Sequence, residues 1–207
     1  MSYIPKDAVT QAFRSNKGVL TPNQIIELDN ENKFTKYGQL ELIETQTMGS
    51  DVSTFSFDNL REDEFDVHFV TVSNMPTATD DRHIALRMKV AGSTDSGNNY
   101  RYAMSRVNSG SASEVRQGND TKIFLAYNVG DAEEAASGYF YMYHAGDGSS
   151  FTAVLSNFVH QGVGVDYNFQ SGMHKTKTVV NGFEFATSGG DVQAGGIISL
   201  YGIRTYK

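Results

Sequence analysis

The sequence predicts an all-β protein, an antiparallel sandwich or barrel preceded by a short helical or extended arm. Three observations predict it. From Gln39 onward, apolar and polar residues alternate with a period of two, in segments that recur about every ten residues. The segments are separated by stretches rich in Gly, Asn, Asp and Ser, such as AGSTDSGNN, RQGND, AGDGSS and TSGGDVQAGG. No strand pattern leads through a helical pattern into a second strand, so a parallel sheet is not expected. The 207 residues suit one large β domain with a short extra segment. The division falls near residue 38, giving an arm over 1–37 and a β domain over 38–207.

In the arm, TPNQIIELDNENK reads as a short helix over about 22–32. Thr21 is placed as the N-cap, Pro22 suits the first helical position, and Gln24 sits where a capping box needs it. Ile25, Ile26 and Leu28 form a narrow apolar stripe. Asn30 and Asn32 are poor helix formers and Gly38 stops whatever follows. Between Lys6 and Lys17 there is room for one more short helix, whose large apolar residues on one face are Val9 and Phe13. Residues 1–20 therefore carry too little apolar surface to order in isolation. Two readings stand: a floppy terminus, or an arm that orders on a neighbouring subunit through Val9, Phe13, Ile25, Ile26 and Leu28.

The β domain reads as about ten strands. QLELIETQT opens it, and TFSFDNL follows with Phe55 and Phe57 in phase. EFDVHFVTVSN sets Phe65, Val67 and Phe69 against Asp66, His68 and Val70. RHIALRMKV puts Ile84, Leu86, Met88 and Val90 on one face, with Arg87 and Lys89 opposite. NYRYAMSRV, TKIFLAYNV, GYFYMYHAG, FTAVLSNFV and KTVVNGFEFAT come next. The last is GGIISLYGIRTY, where Ile197, Ser199, Tyr201 and Ile203 face one way and Ile198, Leu200 and Gly202 the other. Both faces of that strand are apolar, which suits a strand paired on both sides and covered on both faces, the second cover being a subunit. Gly202 is a costly choice for a strand and marks a bulge or a close contact.

Composition narrows the function. Hydrophobic residues make up 39% and aromatics 12%, so the core is expected to be built from Phe and Tyr. A net charge of -7 without any run of Lys and Arg argues against nucleic acid as a partner. The absence of cysteine excludes disulfides, thiolate metal sites and cysteine nucleophiles. No apolar run approaches the ~20 residues that span a bilayer, and the first residues lack the apolar core of a signal peptide.

No catalytic pattern emerges. His68, His83, His144, His160 and His174 show no metal-ligand spacing of the HExxH kind, and a structural role is the default for each. There is no G-x-S-x-G elbow and no Walker loop. GVGVDYN, Gly162 to Asn168, is not placed between a strand and a helix and is set aside. The pairs Asp80–Asp81 and Glu133–Glu134 read as solvated loop charges rather than an acid–base couple. TATDD, STDSGNN and AGDGSS offer clustered oxygens, but none has EF-hand spacing. The expectation is a non-enzyme without cofactor or metal, an ion held between loops being the alternative. One aromatic feature stands out: Tyr139, Tyr141 and Tyr143 lie on one face of GYFYMYH, with Phe140, Met142 and His144 opposite. Tyr100 and Tyr102 alternate in the same way, and Tyr201 joins the list from the closing strand. The tyrosines either cover the rim of the core or form an exterior suited to a subunit interface or to stacking on sugars.

The two ends of the β region carry a resemblance. GQLELIETQT, Gly38 to Thr47, opens it, and NGFEFATSGGDVQAGGIISLYGI, Asn181 to Ile203, closes it. The combination resembles structural proteins of tailed-bacteriophage virions, whose jelly-roll-like β domain begins on a strand of the L-E-L-I-E-T kind. Its closing pattern is matched here by Ser188, Gly189, Gly195, Ile197 or Ile198, Leu200, Tyr201, Gly202 and Ile203. The resemblance spans 38–207, with sparse matching in the middle. It implies a jelly roll, a non-enzymatic tail or tail-fibre subunit, and assembly as a homotrimer in the host bacterial cytoplasm. Other virion proteins would be partners, and a host surface glycan is a further candidate. The chain departs from a full fibre in having no shaft, heptads or repeats. A capsid decoration protein and a stand-alone carbohydrate-binding module are the alternatives.

Overall fold

The computed structural model describes residues 21–30, 40–161 and 164–203, and the chain divides into two compact units, Met1–Tyr37 and Gly38–Lys207. Val9 and Phe13 lie outside the described residues. In the first unit, helix α1 runs over Pro22–Asn30. Its capping box is reciprocal: the Thr21 backbone N–H donates to Gln24 Oε1 at 2.8 Å, and the Gln24 N–H reaches Thr21 Oγ1 at 3.4 Å. Leu28 is buried, whereas Ile25 and Ile26 are exposed.

Among its described residues, the second unit is an antiparallel sandwich of thirteen strands. They are β1 (Leu40–Thr47), β2 (Thr54–Phe57), β3 (Val67–Met75), β4 (Arg82–Val90), β5 (Ser93–Thr94), β6 (Tyr100–Val107) and β7 (Ala112–Asp120). Then come β8 (Ile123–Val129), β9 (Ala136–Tyr143), β10 (Ala153–Gln161), β11 (Val165–His174), β12 (Gly182–Thr187) and β13 (Ile197–Ile203). The eight-stranded sheet has the order β1-β13-β3-β9-β10-β11-β6-β7, and the five-stranded sheet β2-β12-β4-β5, with β8 also paired to β4. The chain crosses between the sheets at both ends of the unit, with β1, β3 and β13 in one and β2, β4 and β12 in the other, whereas β6–β7 and β9–β10–β11 follow one another within the larger sheet.

The core lies between the sheets and is aromatic. Phe57 stacks on Phe183 at 5.0 Å between ring centroids, and Phe140 from the large sheet stands edge-on to Phe183 at 5.5 Å. Ile84, Leu86 and Met88 are fully buried, on the face that their spacing predicts. The closing strand β13 is interior to its sheet, paired with β1 on one side and β3 on the other. Ile198 and Leu200 point into the core. A Cβ built on Gly202 would overlap the buried Phe65 ring, so the glycine marks a close approach of ring to backbone.

Three strands go beyond the ten that alternation predicts. β5 is only two residues long. β7 is an edge strand with polar residues on both faces, including the RQGND stretch that reads as a turn. β11 has polar residues inside and apolar residues outside. His144 also departs from expectation: it follows β9 with φ 61° and is exposed, so it does not continue the Phe140–Met142 face.

Candidate functional site

The outer face of the eight-stranded sheet is the feature that a monomeric sandwich does not require. Strand register brings its side chains into rows across the strands. In one row Leu42 lies beside Tyr201, Tyr201 beside Phe69, Phe69 beside Tyr141, and Tyr141 beside Leu155. The row above runs from Leu40 through Ile203, Val67, Tyr143 and Ala153 to Met173. On the far side of the aromatic row, Tyr139 pairs with Asn157 and Asn157 with Phe169; Val159 pairs with Tyr167 and Tyr167 with Val107.

Rings gather at the middle of this face. Phe69 is 4.8 Å from Tyr141 and 6.2 Å from Tyr201, between centroids, and Tyr141 is 6.2 Å from Tyr143. Beside them, Asn157 ties two tyrosines together. Its Nδ2 donates to Tyr139 Oη at 3.0 Å, and Tyr167 Oη donates to its Oδ1 at 2.6 Å. Two open grooves cross the face. One of about 600 Å³ runs between Arg101, Tyr143, Leu155 and Met173, and one of about 420 Å³ is lined by Tyr139, Asn157, Val159 and Tyr167.

Strand β11 gives the face its clearest signature. Val165, Tyr167 and Phe169 point outward and are 64%, 44% and 42% exposed. Asp166, Asn168, Gln170 and His174 alternate with them and are buried. Asp166 accepts two hydrogen bonds from Arg106, at 3.1 and 2.9 Å. His174 Nε2 lies 2.7 Å from Asp95 Oδ2. The side-chain amides of Asn168 and Gln170 have no hydrogen-bond partner among the described residues, nor does the Ser156 hydroxyl on neighbouring β10. The strand thus keeps Asp166, Asn168, Gln170 and His174 inside while presenting Val165, Tyr167 and Phe169 to the outside.

Four of the six tyrosines singled out in the sequence lie on this face: Tyr139, exposed, and Tyr141, Tyr143 and Tyr201, half-buried. Tyr100 and Tyr102 do not, and the exterior expected of them is corrected. Both face the core on β6. The Tyr100 hydroxyl accepts from the Met88 N–H at 2.9 Å and donates to the Asp95 carbonyl at 2.7 Å, and burial pushes its pKa above the usual phenol range. Tyr102 Oη is 3.2 Å from Tyr127 Oη. Sequence reasoning did not assign Tyr167, Phe169, Asn157 or Leu42 to the face. The signal for the first two was the alternation in VDYNFQ, in phase with an outward side.

Elsewhere the chemistry is internal. A polar concavity of about 660 Å³ is lined by Asp80, Asp81, Arg106, Glu134 and Asp166 among others. Among the described residues no three His, Asp or Glu side chains are placed to hold a metal ion. Two of the three oxygen-rich loops bond their carboxylates internally. Asp147 in AGDGSS accepts from the N–H and Oγ of Ser149, and these bonds hold its carboxyl down to about 2. Asp95 in STDSGNN accepts from Gly97 and Asn99 and pairs with His174.

No family model matches the chain, and no curated protein matches it. Among solved structures it is similar to the CBM2 module of the evolved Dit of Lactobacillus casei BL23 phage J-1, at 8% sequence identity and a TM-score of 0.19, over 84% of this chain and 83% of that one. A likeness at that score carries no argument about function.

Proposed function

We propose that this chain is a non-enzymatic structural protein of a tailed-phage virion, a tail- or fibre-associated subunit. Residues 1–37 attach it and the β-sandwich over 38–207 is displayed and self-associates, as a trimer on the family resemblance. The observation that carries this reading is the outer face of the large sheet, which is broad and aromatic and, among the described residues, holds no charged side chain from β1 to β11. Surfaces of that kind are covered by partners in assemblies. The opening and closing strand patterns supply the virion context. The partners are other copies and other virion proteins, with no role for nucleic acid, membrane insertion or a cofactor.

The test is mass spectrometry and immunogold labelling of purified particles, with the full chain and a chain lacking residues 1–20. Detection on tails supports the tail assignment, and detection on the shell moves the protein to the decoration role. Absence from particles removes the virion reading. Incorporation that survives loss of residues 1–20 removes the attachment role of that segment. A second reading, a glycan-binding module, draws on the Tyr139–Asn157–Tyr167 arrangement beside an open groove. It predicts glycan-array binding that is lost in Tyr139→Ala and Tyr167→Ala.

A further inference from the structure

We infer that the outer face of the eight-stranded sheet is where copies of this chain meet, β1 through β11 forming the contact and β6 and β7 its charged margin. The inference rests on the reading of this face as an assembly surface and names its occupant.

The first argument is the inversion of β11. Slipping a strand by one residue exchanges its two faces. A slip here would bury Val165, Tyr167 and Phe169 and release Asn168 and Gln170 to water, as a lone sandwich favours. The observed register does the opposite, and it is held on both sides, by β10 from Ala153↔Met173 to Gln161↔Val165 and by β6 from Tyr167↔Val107 to His174↔Tyr100. The apolar residues are therefore directed outward, at the expense of unpartnered amides inside.

The second argument is charge. The chain carries a net charge of -7. Yet among the described residues, the outward positions from β1 to β11 hold no Asp, Glu, Lys, Arg or His. Charges return only at one margin, with Arg101 on β6 and Glu114 and Arg116 on β7. Like-charged copies meet with least repulsion on a neutral face, and depletion of charge is what marks the centre of an interface. A neutral face offers nothing to a strongly charged partner. A sugar would need free donors and acceptors, whereas Tyr139, Asn157 and Tyr167 already bond to one another.

The third argument is area. The six strands from β1 to β11 in the sheet, about 4.8 Å apart and crossed by four rows of outward side chains about 6.8 Å apart, cover about 800 Å². That equals what one partner contributes to a stable interface of standard size, about 800 Å².

The experiment is light scattering of the full chain at micromolar concentration, for the wild type, Phe169→Glu and Leu42→Glu. These residues sit towards opposite sides of the face and are 42% and 54% exposed. Val179→Glu, at a site 41% exposed and off the sheet, is the control, and circular dichroism melting reports folding. The expected result is a wild-type mass at a multiple of 22.8 kDa that falls to 22.8 kDa in both face variants and is unchanged in the control. The use of two variants keeps the test open if one fails to fold. A wild-type mass of 22.8 kDa overturns the inference, and so does an oligomer that both folded face variants retain. Glycan binding by a monomer, abolished by the same substitutions, assigns the face to sugar and overturns it as well. A monomer still found in purified particles leaves the virion reading standing. An intact oligomer absent from particles removes that reading and leaves this one.

Discussion

His68 shows how a single buried side chain sets a condition on the whole fold. Its Nε2 lies 2.8 Å from the Leu60 carbonyl, which only accepts, so Nε2 carries the proton of a neutral ring. Nδ1 is buried and has no partner among the described residues. Burial lowers the pKa, and it does the same for His160. The folded state thus resists a proton that the unfolded chain accepts near pH 6.5. Stability is therefore full above about pH 6.5 and falls as pH drops below it, by up to about 1.4 kcal/mol per pH unit for each such imidazole. Urea midpoints at pH 7.5, 6.0 and 5.0 check this: a steady fall across the series is expected, shallower in His160→Leu, and a flat profile contradicts it. Gly202 gives a steric counterpart. Gly202→Ala forces the Phe65 ring out of its seat and should destabilise by about 1–3 kcal/mol, read as a lower denaturant midpoint with an unchanged slope. The tyrosines mark the limit of reading residues alone. Alternation assigns Tyr100 and Tyr102 to one face, and Tyr139, Tyr141 and Tyr143 to one face, but not which face is inside. That depends on what the neighbouring strands bring, and for β6 it is the Met88 N–H and the Asp95 carbonyl.

At the scale of the element, strands were legible where their inward face is apolar. β4 and β13 follow that rule, and so does β9 through Phe140 and Met142. The helix was legible from local chemistry, because a capping box needs only residues three apart. β7 escaped because an edge strand exposed on both faces need bury nothing. β11 escaped for a different reason: its inward row is Asp166, Asn168, Gln170, Gly172 and His174, which reads as a loop. That row makes a sharp prediction. Buried amides without partners are costly, and replacing them by apolar groups of similar shape removes the penalty. Asn168→Leu and Gln170→Met should each leave the fold intact and raise stability by about 1 kcal/mol, measured by urea denaturation; a loss of 2 kcal/mol or more would show that these amides are bonded in solution. Asp166 on the same strand behaves oppositely. It is 5% exposed at its side chain and held by Arg106, so Arg106→Met leaves a buried carboxylate with only the His160 ring 4.0 Å away and should cost about 3–5 kcal/mol. Adding Asp166→Asn should recover part of that loss, and full additivity in the double variant would rule out the coupling.

At the scale of the whole molecule, the two sheets are unequal in what their outer faces ask of the surroundings. On the smaller sheet, β12 is covered on both faces, and its outward Glu184 is paired with Arg87 at 3.3 Å. The larger sheet presents aromatic rings outside and, on β11, buries two amides inside. With copies meeting on that face, as proposed, part of the folding free energy would lie in association rather than in the interior of the chain. Its stability should then depend on concentration, since an oligomer that forms only from folded chains pulls the unfolding equilibrium towards the native state. The melting temperature is expected to rise by several degrees between 1 and 100 μM chain, and to do so equally at 0.05 and 1 M NaCl, because the contact is apolar and neutral and has little charge to screen. Phe169→Glu should abolish the concentration dependence while leaving a single cooperative transition. A dependence that collapses in high salt would place the contact at the charged β6–β7 margin instead, with Arg101, Glu114 and Arg116. A melting temperature constant across that range would mean that the sandwich carries its stability alone.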